Sequence, residues 1–155
     1  MMIHILITIV TFCTMELVAW SAHKYLMHGF LWSWHHDHHD PKIRSHDFFE
    51  KNDRFFLVFA VPSFLCFLTG LLTIYTSFTF IGIGILIYGF CYFMVHDVFI
   101  HQRFKWFRNS DFIYFKAIRK AHKIHHKHLG PEDGECFGML WVPMKYFREA
   151  RTVRS

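Results

Sequence analysis

Between Phe55 and Val95 the chain runs for about 40 residues without one formally charged side chain. One crossing of a bilayer's hydrocarbon core takes about 20 apolar residues. The run is therefore twice what one span needs, and it must fold back on itself. Thr76-Ser77 is the polar step near its middle, so the sequence predicts two spans joined there. Pro62, Gly70 and the series Gly82, Gly84 and Gly89 are tolerable in such helices, where small residues let neighbours approach closely.

A third apolar stretch, Ile3 to Trp20, is interrupted only by His4 and Glu16. No Lys or Arg precedes Lys24, so the basic start of a signal peptide is missing and no small-residue cleavage site follows. It is read as a retained span. The stretch Val98 to Ile113 is aromatic but broken by Arg103, Lys105 and Arg108, which predicts an interfacial helix rather than a fourth span. The expected fold is thus all-α and integral to a membrane. It has three transmembrane helices, four only if that stretch crosses, and a cytoplasmic helical cap rich in histidine. Five of the 17 basic residues lie from Lys24 to Arg54 and the other twelve from Arg103 to Arg154. If Phe55 to Val95 is a hairpin, all 17 share one side. That side is expected to be cytoplasmic, with the N-terminus outside. The basic excess is then an orientation signal, and nucleic-acid binding is not indicated. Cys13, Cys66, Cys91 and Cys136 form no C-x-x-C pair, so neither a disulfide framework nor a thiolate metal site is expected.

The 155 residues leave room for one domain, with no internal linker, yet each half carries the same pair of histidine motifs. The first is His23-x4-His28 followed by His35-x2-His38-His39. The second is His96-x4-His101 followed by His122-x2-His125-His126. Ten of 14 histidines fall in these clusters, all at or beyond the basic-side ends of the spans. On an α-helix, positions i, i+3 and i+4 share a face, so His35, His38 and His39 can address one volume, as can His122, His125 and His126. Positions five apart diverge by about 140° on an α-helix, so His23/His28 and His96/His101 are expected to serve two neighbouring ions rather than one. Ten imidazoles exceed what one ion can use. Imidazole suits Fe, Zn, Cu and Ni alike, so spacing does not choose the metal. No H-E-x-x-H occurs, so a zinc protease would lack its base. His4 lies about 28 Å of helix from His23 and cannot reach such a site. His46 and His128 fall outside the repeated spacing, and His36 is turned about 100° from His35.

These four motifs resemble the fatty acid hydroxylase/sterol desaturase superfamily, and within it the β-carotene hydroxylases of bacteria. Met15-Glu16, Ala19-Trp20, the block from His23 to Gly29 and Trp34-His35 are similar to that family's N-terminal signature. Phe49-Glu50 with Asn52-Asp53, His96-Asp97 with His101-Gln102-Arg103, and Cys136-Phe137-Gly138 are similar to its later blocks. The resemblance runs from about Met15 to Arg148, with His36 inside the second motif and Leu17 in place of Gly as departures. It implies a single membrane-embedded di-iron hydroxylase domain over residues 1–155, in the inner (cytoplasmic) membrane. Two non-haem irons would be bound by His23, His28, His35, His38, His39, His96, His101, His122, His125 and His126. They would activate O2 with electrons from a ferredoxin and an NAD(P)H-dependent reductase. The implied substrate is the β-ionone ring at carbon 3, in β-carotene by way of cryptoxanthin to zeaxanthin, or in ketolated carotenoids.

Around these motifs stand residues with weaker claims. Glu16 is the only carboxylate inside an expected span, and could orient a ligand histidine, shuttle a proton, or be a hydrogen-bonded structural group. Metal-bound imidazoles hand their second N–H to an acceptor, and among the acids beside the motifs Asp53 and Asp97 are the candidates. Lys116, Lys120, Lys123 and Lys127 form one helical stripe for anionic lipid, an acidic ferredoxin, or solvent. A di-iron fatty acyl or sterol hydroxylase is the alternative enzyme. A metal transporter or store is the alternative of another class, although transport favours ligands near the bilayer midplane.

Overall fold

A computed structural model describes residues 1–40, 49–130, 132 and 134–152. His46, and with it Lys42, Arg44 and Arg154 of the charge map, lies outside the described residues. The chain is helical, with no strand among them. Helix α1 (Met2–Ser21) runs on without a break into a π-helical segment (Ala22–Phe30) that kinks at Gly29. Helix α2 (Trp32–His39) follows. A 3-10 turn (Lys51–Phe56) opens α3 (Leu57–Leu72), and α4 (Ser77–Phe93) returns beside it and ends in a second π segment (Met94–Ile100). Helices α5 (Ile113–His125) and α6 (Met144–Thr152) complete the cap.

Three helices are long and apolar enough to cross a membrane: Met2–Phe30, Lys51–Leu72 and Ser77–Ile100. Only 11%, 22% and 28% of their most apolar stretches are buried inside the protein, so the outward surface is a belt of Leu, Ile, Val and Phe. Such a surface fits lipid and not water, which makes this a membrane protein. The hairpin expected from the uncharged run is present, turning through residues 73–76 just before Ser77.

Helix α4 is the centre of the bundle, packed on both α1 and α3. Its small residues make this possible. A Cβ on Gly84 would stand 2.7 Å from Thr11 Cβ and 2.8 Å from the Thr8 carbonyl oxygen of α1. On the other flank, a Cβ on Gly82 would stand 3.0 Å from the Ser63 carbonyl oxygen, and Ser63 donates its hydroxyl to the Gly82 carbonyl at 2.9 Å. Met15, Ala19, Phe59, Ile85 and Tyr88 fill the space where the three helices meet.

The stretch Val98 to Ile113 is not an interfacial helix. Residues 101–112 form bends and turns, with Gln102 (φ 54°) and Phe107 (φ 56°) in left-handed conformations that end helical bonding. The Arg119 side chain donates to the carbonyls of Phe99, Phe107 and Arg108, meeting the backbone demand that a helix would otherwise meet. In the cap, α5 and α6 bury Ala117, Ile118 and Ala121 against Val142, Tyr146 and Ala150. The lysine stripe of α5 faces outward, with Lys116 and Lys120 paired to Asp111 and Glu149.

Gly84→Val should overpack the α1–α4 contact, at a cost on the order of 1–3 kcal/mol. Thermal unfolding in detergent should show a lower midpoint for this variant, while Leu17→Val, on the outward face, should melt as the parent does. An unshifted Gly84→Val midpoint would contradict the close approach of these helices.

Candidate metal centre

Nine histidines place one ring nitrogen each in two compact groups. His23, His28, His35, His39 and His125 form one, and His38, His96, His101 and His122 the other, with the donor atoms of each group within 4.8 Å of one another. Eight of the nine are buried, and His101 is half-buried.

The way the motifs divide reverses the expectation from α-helical spacing. His23 and His28 fall in the same group, and so do His96 and His101. The cause is the local winding, since both pairs lie on π segments. There, i→i+5 hydrogen bonds such as His101 N–H to the His96 carbonyl (2.9 Å) bring residues five apart onto one face. The H-x2-H-H motifs do the opposite and split. Helix α2 sends His35 and His39 to the five-histidine group and His38 to the other, and α5 divides His125 from His122. His126 lies at the shared edge, its Nε2 2.8 Å from His122 Nε2 and its ring stacked on His39.

Outward hydrogen bonds fix which nitrogen faces in. Six Nδ1 atoms stand beside groups that can only accept. His23 donates to the Phe137 carbonyl (3.0 Å), His28 to Leu129 (3.0 Å), His125 to Glu135 (3.1 Å) and His35 to Asn52 Oδ1 (2.7 Å). His38 donates to Glu50 (2.9 Å) and His96 to Asp97 (3.1 Å). With the proton on Nδ1, each Nε2 presents a bare lone pair inward. These lone pairs face one another at 3.1 Å in His23–His35 and His28–His125 and at 3.0 Å in His96–His38, while His39 Nε2 stands 3.0 Å from His35 Nε2 and His101 Nε2 2.9 Å from His122 Nε2. Lone pairs so placed repel unless a cation lies between them. Two ligands about 2.1 Å from one ion stand about 3.0 Å apart at a right angle and about 3.4 Å apart at the tetrahedral angle. Nitrogens at these separations can share one ion, so the residues fit a metal centre.

Behind the four-histidine group sits a polar hub. Arg103 grips Asp53 with two hydrogen bonds (2.6 and 3.0 Å), meets Asp97 at 3.2 Å and lies 3.6 Å from Glu50. Asp97 thus touches a ligand-type histidine directly. Asp53 holds Arg103 and caps the Glu50 amide instead. Glu50 and Asn52, which contact His38 and His35, were not singled out as partners by the sequence reading. Their signal is only their place with Asp53 in the block that resembles the family.

Glu16 meets no histidine motif directly. Its carboxylate accepts from Tyr88 (2.6 Å), the Leu140 amide (3.0 Å) and the Trp141 amide (2.8 Å). A Cβ on Gly138 would come within 2.6 Å of it. It ties α1 to the segment whose Phe137 carbonyl holds His23. Cys136, at φ 61°, turns that backbone so that the carbonyls on its two sides reach His125 and His23. His4 stacks on Phe80 at the far end of α1, and neither His36 nor His128 joins either group.

Residues 8–145 match the fatty acid hydroxylase family. A β-carotene hydroxylase of Pantoea ananas is 41% identical over 138 residues, covering 89% of this chain and 77% of that one. One from Paracoccus sp. (strain PC1) is 36% identical over 143 residues, covering 92% of this chain and 86% of that one. A chloroplastic β-carotene 3-hydroxylase of Gentiana lutea is 35% identical over 144 residues, covering 83% of this chain and 43% of that one. No solved structure matches the chain.

Burial and neighbouring imidazoles hold His35, His38, His39 and His122 below the ordinary histidine value, and take His125 from 6.5 down to about 3. The unfolded chain binds protons below pH 6.5 while these folded groups do not. Stability is therefore full above 6.5 and lost as pH falls toward about 3, by up to about 1.4 kcal/mol per pH unit for each histidine. Metal should be released in the same direction, because protons compete for the same nitrogens. Melts of chelator-stripped protein should give a level midpoint from pH 7 to 8 and a falling one below 6.5. A midpoint that rises on acidification would contradict neutral, inward-facing imidazoles.

Proposed function

The chain belongs to the fatty acid hydroxylase family, and from that premise we propose that it hydroxylates carotenoid β-rings at carbon 3, at a two-iron centre. The observation that carries the reading is the pair of inward-facing histidine groups at one end of an apolar bundle. Relatives named for β-carotene hydroxylation supply the substrate class. Iron is the metal that the family implies, and imidazole donors at this spacing are compatible with it.

The overall reaction consumes one O2, two electrons and two protons, and yields one alcohol and one water. Bound iron would supply the oxygen activation that breaking an unactivated C–H bond requires. The protein's own residues hold the donor rings through Nδ1, keep the lone pairs inward, and keep water from the apolar side of the site. Electrons would come from a ferredoxin served by an NAD(P)H-dependent reductase. The unpaired end of the α5 stripe, Lys123 and Lys127, is exposed for an acidic donor. The whole chain, residues 1–155, acts as one membrane-embedded domain. A transporter is disfavoured because the donors gather at one end of the spans, whereas transport sites lie near the midplane.

In a β-carotene-producing host, β-carotene should fall and a dihydroxylated, more polar pigment should appear. Replacing any grouped histidine, or His126, by Ala should remove nearly all of it. His4→Ala, His46→Ala and His128→Ala should remain active. Unchanged carotenoids alongside newly hydroxylated fatty acids or sterols would move the substrate to the alternative class, and a fully active His125→Ala would break the ligand set.

Sidedness follows from the basic residues: an outside N-terminus, an inside C-terminus, and the metal end at the cytoplasmic face of the inner membrane. Reporter fusions after Ser155 and in the Thr73–Thr76 turn should report opposite sides. The same side for both would end the three-span arrangement.

A further inference from the structure

Two cavities adjoin along the α3–α4 contact, one of 340 Å³ at the metal end, walled also by Ala19, Ala22 and Met27, and one of 580 Å³ toward the bundle's middle. Phe56, Phe59, Gly89 and Phe93 line both, so they are two parts of one cleft. Its inner end is polar and reaches the metal centre through His96 and through Asn52, the partner of His35. Its outer part has one polar side chain, Ser63, whose hydroxyl is already given to the Gly82 carbonyl. Phe64, Leu86 and Phe90 at the outer rim are exposed on the lipid-facing surface. We propose that this cleft is the binding site for one end of a ring-capped polyene, which enters sideways from the lipid between α3 and α4.

The proposal rests on the carotenoid reading of the metal centre and adds where that substrate lies. The chemistry of the walls selects the occupant. An outer part without a free polar group offers nothing to a headgroup or a sugar. Aromatic side chains dominate both parts, and flat π faces pack well on a conjugated chain. Each part has the size of a small-molecule site. Along α4 and the π segment that continues it the cleft extends from Leu86 to His96, ten residues or about 15 Å. That is half of the roughly 30 Å hydrocarbon core. One end of a bilayer-length polyene is therefore held while its other end stays in lipid.

Width is set by two small residues. Ala60 lines only the outer part, and Gly89 sits at the junction, where an added Cβ would be 3.1 Å from Phe59 Cβ. Neither touches a histidine group, so filling the cleft should leave the metals in place. Val61, next to Ala60 in sequence, lines neither cavity and is 47% exposed, which makes it the control position.

In a β-carotene-producing host, Ala60→Trp should lower hydroxylation at least tenfold with unchanged metal content, while Val61→Trp stays within about twofold of the parent. Independently, Ala60→Cys in carotenoid-containing membranes should react several-fold more slowly with N-ethylmaleimide than in carotenoid-free membranes, read at that peptide by mass spectrometry. Val61→Cys should react equally in both. Ala60→Trp as active as the parent, or Val61→Trp as impaired as Ala60→Trp, would overturn the site. Equal labelling of Ala60→Cys in both membranes would mean that ordinary lipid chains fill the cleft, and would overturn it too. A parent that converts no carotenoid would sink the reaction instead, and the labelling would still decide the cleft.

Discussion

Facing imidazole lone pairs about 3 Å apart are the arrangement on which the rest of this protein depends. Facing lone pairs repel one another until cations join them, and burial keeps His35, His38 and His125 from escaping by protonation. The scaffold must therefore hold these rings against their own electrostatics. For six of the rings it does so through the opposite nitrogen, with three carbonyls, one amide oxygen and two carboxylates as fixed acceptors. A hydrogen bond on Nδ1 fixes both the tautomer and the ring plane, and makes Nε2 a better donor to metal.

That demand explains features far from the histidines. Three of the acceptors are backbone carbonyls at Leu129, Glu135 and Phe137, in a segment without regular structure. Irregular backbone is a poor anchor unless it is tied down. Glu16 supplies the tie from inside α1 by accepting the Leu140 and Trp141 amides, and Gly138 supplies the clearance. A carboxylate inside an apolar helix is thereby explained by position: it holds the segment that holds His23.

Much of the architecture was legible in the sequence because it follows from what is missing. A run without charge, twice the length of one crossing, can only be a hairpin in a membrane, and Phe55 to Val95 is one. The repeated histidine motifs likewise marked the residues that gather. What the sequence did not show was their partition. Spacing was converted into direction at 3.6 residues per turn, but the chain winds more widely at Ala22–Phe30 and Met94–Ile100, and no residue type announces a π segment. The aromatic stretch after Val98 misled for a related reason. Its composition suits an interfacial helix, yet left-handed Gln102 and Phe107 and the reach of Arg119 settle it as turns. Glu50 and Asn52 were equally hidden, since an acceptor's role depends on which ring it meets in space.

The partition also makes the two metal positions unequal. Acceptors behind the five-histidine group are neutral: three carbonyls and the Asn52 amide. Behind the four-histidine group they are the carboxylates of Glu50 and Asp97, with Asp53 beside them and Arg103 bridging the three. Carboxylates draw the Nδ1 proton outward more strongly than carbonyls do, so His38 and His96 are the more electron-rich donors. The same group contributes His96 to the apolar cleft, and Asp97 and Arg103 line its inner end beside it. The group with fewer histidines and carboxylate acceptors is thus the one that looks into the space where an apolar substrate can stand.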